Sequence, residues 1–240
     1  MKAFNKYFDH TLLKADATSN QILKLVSEAV TSDFAAVCVN GSHVRSVRRF
    51  IDGAGASWSP DEETGVKVAA VVGFPLGAMS TGAKAYEVQL ALEDGAQEID
   101  LVMNVGQAKA GNWAYVEDEI YSIAQMCHED GALLKVIIET CLLDRNEIIQ
   151  ACRSSVKCGA DFVKTSTGFS TGGATVDNVK LMRRTVDEAA SESDRKIQVK
   201  ASGGIRTLKD AQAMIDAGAD RLGCSASVAI LEEYRKEEGR

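Results

Sequence analysis

Asp94-Gly95-Ala96-Gln97 leads directly into Glu98-Ile99-Asp100-Leu101-Val102-Met103-Asn104. The first four residues read as a helix end. Gly95 suits the left-handed position that closes a helix, because it has no Cβ to clash there. The short apolar run that follows reads as a buried strand. The same mark recurs as Asp130-Gly131-Ala132-Leu133, Cys158-Gly159-Ala160-Asp161 and Ala217-Gly218-Ala219-Asp220. Its glycines fall 36, 28 and 59 residues apart, the last interval being two units long. A helix, a tight glycine turn and a strand, repeated on that period, imply a parallel sheet.

Working outward places eight strands: Phe8–Leu12, Ala35–Asn40, Lys67–Phe74, Glu98–Asn104, Leu133–Thr140, Phe162–Ser166, Gln198–Ser202 and Arg221–Cys224. Amphipathic helices are expected at Ser19–Val30, Val176–Ala190 and Leu208–Ala217, with Thr18 or Ser19 as the first N-cap. The longest loop-like insertion runs from Gly53 to Gly65, and the chain has only two prolines, Pro60 and Pro75. Eight βα units predict a single-domain α/β fold over residues 1–240, a closed (β/α)₈ TIM barrel. A doubly wound open sheet is the alternative, but no G-x-G-x-x-G follows an early strand.

Composition narrows the function classes. The chain has 240 residues and a formal net charge of −7, which argues against a nucleic-acid partner. No apolar run approaches the roughly 20 residues needed to span a bilayer, and the N-terminus lacks a signal-type apolar core. Cys38, Cys127, Cys141, Cys152, Cys158 and Cys224 form no C-x-x-C pair. They read as reduced, mostly buried thiols of a cytoplasmic protein, with no metal site.

Charge inside strands that are buried on both faces needs a reason. Asp100, Lys135, Lys164 and Lys200 each interrupt an apolar strand. Lys164 and Lys200 fall near the ends of the sixth and seventh strands, where barrels of this type build active sites. Two ammonium groups in one low-dielectric cavity repel, so one sheds its proton, and a neutral amine can attack a carbonyl. The residues alone leave open which lysine that is. Asp100 would steady the second cation or relay protons. Lys135, nearer its strand's start, reads as half of a buried ion pair with Glu139 or Asp100. His10 reads as structural, His43 and His128 as surface residues on helices, and Cys38 as packing.

The loops after the seventh and eighth strands carry Ser202-Gly203-Gly204 and Gly223-Cys224-Ser225. Such loops, with a helix N-terminus, commonly bind phosphate. Thr167-Gly168 and Thr171-Gly172-Gly173 after the sixth strand would add donors. The expected binding set is therefore Gly172, Gly203, Gly204, Ser225 and Thr167.

With these residues in place, the chain resembles the deoxyribose-phosphate aldolase family. The resemblance rests on D-H-T-L-L-K from Asp9, V-C-V-N from Val37, E-I-D-L-V-M-N from Glu98, L-L-K-V-I-I-E-T from Leu133, K-T-S-T-G-F from Lys164 and K-A-S-G-G-I-R from Lys200. It implies reversible cleavage of 2-deoxy-D-ribose 5-phosphate to D-glyceraldehyde 3-phosphate and acetaldehyde, with no cofactor. It also implies a Schiff base on Lys164, a pKa-lowering role for Lys200, a proton-relay role for Asp100, and a homodimer or homotetramer. Two positions depart from the family pattern: Gly41, where proline is usual, and Cys224 in the last phosphate loop. A sugar-phosphate isomerase or decarboxylating lyase on the same barrel, or a silent phosphate binder, would need no reactive lysine.

Overall fold

Gln21 Oε1 accepts from the backbone N–H of Thr18 at 2.8 Å, so Thr18 rather than Ser19 caps α1 (Ser19–Thr31). The computed structural model describes residues 2–53, 65–191 and 196–239. Apart from its end glycines, the expected insertion lies outside the described residues, as does Pro60. The strands are β1 (Phe8–Leu12), β2 (Ala36–Asn40), β3 (Lys67–Val72), β4 (Glu98–Val102), β5 (Leu133–Ile137), β6 (Phe162–Lys164), β7 (Gln198–Ser202) and β8 (Arg221–Cys224). Each pairs in parallel with the next, and β8 pairs with β1, so the sheet closes into an eight-stranded barrel. The open-sheet alternative is thereby excluded.

The other helices are α2 (Val44–Gly53), α3 (Thr81–Glu93), α4 (Val105–Lys109), α5 (Trp113–Glu129), α6 (Arg145–Lys157), α7 (Val176–Ala190), α8 (Leu208–Asp216) and α9 (Ser227–Glu237). Gly95, Gly131, Gly159 and Gly218 sit just past α3, α5, α6 and α8 with φ of 98°, 70°, 95° and 104°. The recurring glycine thus does the job its sequence context required.

Four strands stop short of their expected ends, each for a local reason. Gly73, at φ 63°, turns the chain out of β3. Asn104 leaves β4 to cap α4, accepting from Gln107 N–H at 3.1 Å. Glu139, at φ 52° and ψ 66°, breaks β5. Past β6, side chains replace the ladder: Thr165 Oγ1 donates to Ser202 O and accepts from Ser202 N–H, both at 3.1 Å.

Side chains alternate across each strand. Val37 and Val39, Ile99 and Leu101, and Val199 and Ala201 pack outward with helix residues such as Ile22, Val47 and Ile120. The lumen is divided. On the β2–β3 side it is small and apolar, with Cys38, Ala69 and Val71 packed against Leu13 and Phe74. From β4 round to β1 it carries charge instead of the branched aliphatics usual in such barrels.

His10 points outward, where its Nε2 lies 2.9 Å from Glu28 Oε2 and its Nδ1 3.3 Å from Ser227 Oγ, a structural role joining α1 to α9. His43 lies in a 3₁₀ turn (Gly41–His43) rather than a helix. His128 is half-buried and pairs with Asp161 at 3.0 Å, so it is not a free surface residue. All six cysteines are free and all but Cys141 are buried. No helix among the described residues is long and apolar enough to cross a membrane.

Candidate active site

Register brings the strand charges to one level. Asp100 is paired with Lys135, Lys164 with Lys200, and Lys200 with Arg221, so their side chains enter the lumen side by side. Lys135 Nζ contacts Asp100 Oδ1 at 2.7 Å and Glu98 Oε2 at 2.6 Å. It does not pair with Glu139. Lys164 Nζ lies 2.7 Å from Asp100 Oδ2. Lys200 Nζ lies 2.8 Å from the same oxygen and also bonds Asp9 Oδ2. Arg221 closes the circuit, 2.9 Å from Asp9 Oδ1 and 2.6 Å from Glu98 Oε1.

Four cations thus meet three carboxylates, away from bulk water. Unbalanced buried charge is relieved by losing a proton. Burial lowers all three lysines, but Asp100 and Glu98 outweigh it at Lys135, and Asp100 and Asp9 outweigh it at Lys200; both stay raised. At Lys164 burial wins: one carboxylate, Asp100, opposes it, while the Lys200 charge adds to it, so the Lys164 ammonium is held below its usual range. Burial would raise the Asp100 carboxyl, yet Lys135, Lys164 and Lys200 together hold it well below the carboxylate range. Lys164 is therefore the member of the circuit that releases its proton most readily.

Space for Lys200 comes from Gly223 on β8. A Cβ there would come 3.0 Å from Lys200 Cε and 3.1 Å from Ser202 Cβ.

Above this layer lies a cavity of about 280 Å³, lined by Lys164, Thr167, Gly203, Gly204 and Ser225 as expected, and also by Gly168, Lys14 and Arg206. Gly203 and Gly204 have φ of 84° each. Their N–H groups and that of Gly168 donate to no protein acceptor among the described residues, an arrangement able to receive an anion. Cys224 also lines the cavity, with its thiol beside Ser227 Oγ at 3.3 Å.

Two residues of the expected binding set are placed differently from the rest. Gly172 does not line the cavity; a Cβ there would lie 2.9 Å from Cys141 Cβ, so it packs against the turn after β5. Its neighbour Gly173 instead abuts Gly203, where a Cβ would fall 2.3 Å from Gly203 O. Thr167 does line the cavity, but its N–H and Oγ1–H both turn away to Glu139.

Asp9, Glu98 and Arg221 were not singled out from the sequence as site residues, although each is a charge in an apolar strand, the signal that found Asp100. Lys14 and Arg206 sit in ordinary polar loops, and only the barrel's closure brings them to the cavity.

The model of DeoC/LacD family aldolases matches residues 4–232. The chain is 52% identical over 228 residues to the deoxyribose-phosphate aldolase of Finegoldia magna, covering 95% of this chain and 98% of that one. It is 48% identical over 233 residues to the deoxyribose-phosphate aldolase of Thermococcus gammatolerans, covering 97% of each. The deoxyribose phosphate aldolase of Aeropyrum pernix, described as a unique tetrameric structure, matches the fold with a TM-score of 0.86 at 32% identity, covering 98% of this chain and 92% of that one. With charged barrel and glycine-lined cavity alike in place, the chain belongs to the DeoC/LacD family of aldolases.

Proposed function

We propose that the chain is a class I aldolase that reversibly cleaves 2-deoxy-D-ribose 5-phosphate through a Schiff base on Lys164. The observation that carries the assignment is the excess cation of the lumen circuit, whose proton is lost most easily at Lys164. The neutral amine attacks C1 of the open-chain sugar. Loss of water leaves an iminium that acts as an electron sink. The C3 hydroxyl gives up its proton, the C2–C3 bond breaks, and D-glyceraldehyde 3-phosphate departs. Its electron pair stays on the two-carbon enamine. Protonation at C2 and hydrolysis release acetaldehyde and free Lys164. This chemistry needs neither metal nor organic cofactor.

Lys200 keeps its charge between Asp9 and Asp100 and depresses Lys164. Asp100, bridging both amines, holds them in register and carries protons between them. The phosphate is received by the Gly203–Gly204 and Ser225 loops, with Lys14 and Arg206 as counter-charges. Residues 1–240 act as a single catalytic domain. The six unpaired thiols support a reducing, cytoplasmic setting, and a homodimer or homotetramer is the expected assembly, measurable by sedimentation.

Incubation with acetaldehyde and borohydride, followed by peptide mapping, tests the assignment. An ethyl adduct on Lys164 is expected. An adduct on Lys200 would exchange the two roles, and no selective adduct would favour an isomerase or a silent phosphate binder.

A further inference from the structure

Glu139 lies two residues past Ile137, the strand neighbour of Lys164, and takes no part in the charge circuit. It is a non-glycine residue in the left-handed region, at φ 52° and ψ 66°. Such a conformation persists only when the surroundings impose it, and it is found where a site needs it. Its carboxylate is 3% exposed. It accepts from Thr167 Oγ1 at 2.5 Å and from Thr167 N–H at 3.3 Å. Cys141 Sγ lies 3.7 Å from its other oxygen. Thr167 Oγ1 in turn accepts from Phe169 N–H at 3.1 Å. One buried carboxylate thus pins Thr167 and, through it, the turn Thr167-Gly168-Phe169.

That turn needs an external anchor. The strand β6 has only three residues, and the ladder ends just past Lys164. Ile138 N–H still donates to Lys164 O, and Thr165 N–H to Lys200 O, both at 3.0 Å, so the lysine's backbone is held without Glu139. Thr167 and Gly168 lie beyond that support. On their far side is the Gly203 loop: a Cβ on Gly203 would come 3.4 Å from Gly168 Cα. Gly168 therefore stands between Glu139's anchor and the loop that receives the anion.

We propose that Glu139 is a positioning residue for phosphate recognition: it fixes the Thr167–Gly168 turn so that the Gly168 N–H faces the anion together with those of Gly203 and Gly204. The proposal rests on the aldolase reading above. It separates two functions within one site, since the lysine is anchored independently of Glu139 and the phosphate side is not.

The test compares wild type, Glu139→Gln, Glu139→Ala and Thr167→Val on 2-deoxyribose 5-phosphate and on unphosphorylated 2-deoxyribose, with borohydride trapping of acetaldehyde alongside. Glu139→Ala and Thr167→Val are expected to raise KM for the phosphorylated sugar about tenfold. For Glu139→Ala, kcat/KM on the unphosphorylated sugar and trapping on Lys164 should stay within about threefold of wild type. Glu139→Gln, whose side-chain oxygen can still accept from Thr167, should retain most of the phosphate discrimination. Equal losses on both sugars, or an unchanged KM in the variants that fold, would overturn the proposal. A wild-type protein that neither cleaves either sugar nor traps acetaldehyde would overturn the aldolase reading, and the proposal with it.

Discussion

Lys164 and Lys200 hydrogen-bond the same oxygen, Oδ2 of Asp100, at 2.7 and 2.8 Å. One carboxylate oxygen cannot neutralise two ammonium groups, and of the two lysines only Lys200 also bonds a second carboxylate, Asp9. The asymmetry of the pair therefore comes from Asp9, on a strand that joins the site only because the barrel closes.

Removing the Lys200 charge leaves Asp100's attraction for Lys164 less opposed. The Lys164 pKa rises, and the neutral fraction at a given pH falls tenfold for each unit of rise. Lys200→Met is expected to lower kcat/KM at neutral pH by about a hundredfold or more and to shift the alkaline-rising limb of its pH profile upward. A profile with its limb unmoved would mean that Lys200 acts otherwise. Lys164→Ala should show neither turnover nor trapping.

A lysine with a depressed folded-state pKa weakens the fold. The unfolded chain binds that proton up to about pH 10.4, the folded chain only up to its lower value. Between the two the unfolded state holds more protons, so stability rises with pH there, and the full penalty is present below the folded-state value. Lys164→Met removes this penalty and leaves Asp100 with Lys135 and Lys200. It should be as stable as wild type or more stable, by up to about 2 kcal/mol. Lys135→Met instead takes one charged hydrogen bond from each of Glu98 and Asp100, which keep Arg221 and the other two lysines as partners, and should lose about 1–3 kcal/mol. Urea denaturation of the two variants at neutral pH separates them.

Gly223→Ala probes the space that Lys200 occupies. The added methyl would stand 3.0 Å from Lys200 Cε, so the side chain must shift away from Asp9 and Asp100. A displacement of about 1 Å in such a site lowers rate on the order of a hundredfold. The expected result is a loss of 10- to 100-fold in kcat/KM with a small change in melting temperature, read by steady-state kinetics and calorimetry. Wild-type kinetics would show that Lys200 has slack.

A second buried pair supports the loops at the barrel mouth. Lys84 Nζ on α3 bonds Glu119 Oε1 on α5 at 2.7 Å and Val102 O at the end of β4 at 2.8 Å, with no exposure of either side chain. Asn104 N–H donates to the same glutamate at 3.2 Å. Lys84→Met leaves Glu119 as an uncompensated buried charge and should cost about 3–5 kcal/mol, measured by denaturant unfolding. A double variant, Lys84→Met with Glu119→Leu, should recover part of that loss.

Gly41 tests a departure from the family pattern. It opens a 3₁₀ turn, and a Cβ there would meet nothing within 4 Å. Its φ is not among the positive ones, so the glycine's freedom is unused. Gly41→Ala should leave activity unchanged and raise stability by about 0.5 kcal/mol, through the unfolded chain's lost entropy.

The barrel was legible in the sequence because its signals are local. A glycine that ends a helix, a short gap and an apolar run report on one βα unit without knowledge of the others. Asp100, Lys164 and Lys200 were legible for a related reason: charge in a strand buried on both faces is costly wherever that strand goes. What tertiary structure alone decided is the state and direction of those groups. Lys164 loses its proton first because charges from β1, β4, β5, β7 and β8 act on one another across a lumen that exists only after β8 pairs with β1. Thr167 turns its donors away from the cavity because Glu139, twenty-eight residues earlier, adopts a left-handed conformation that no propensity favours. Electrostatic fields and side-chain hydrogen bonds depend on distance in space, and the chain brings those residues within a few ångströms only when the barrel is complete.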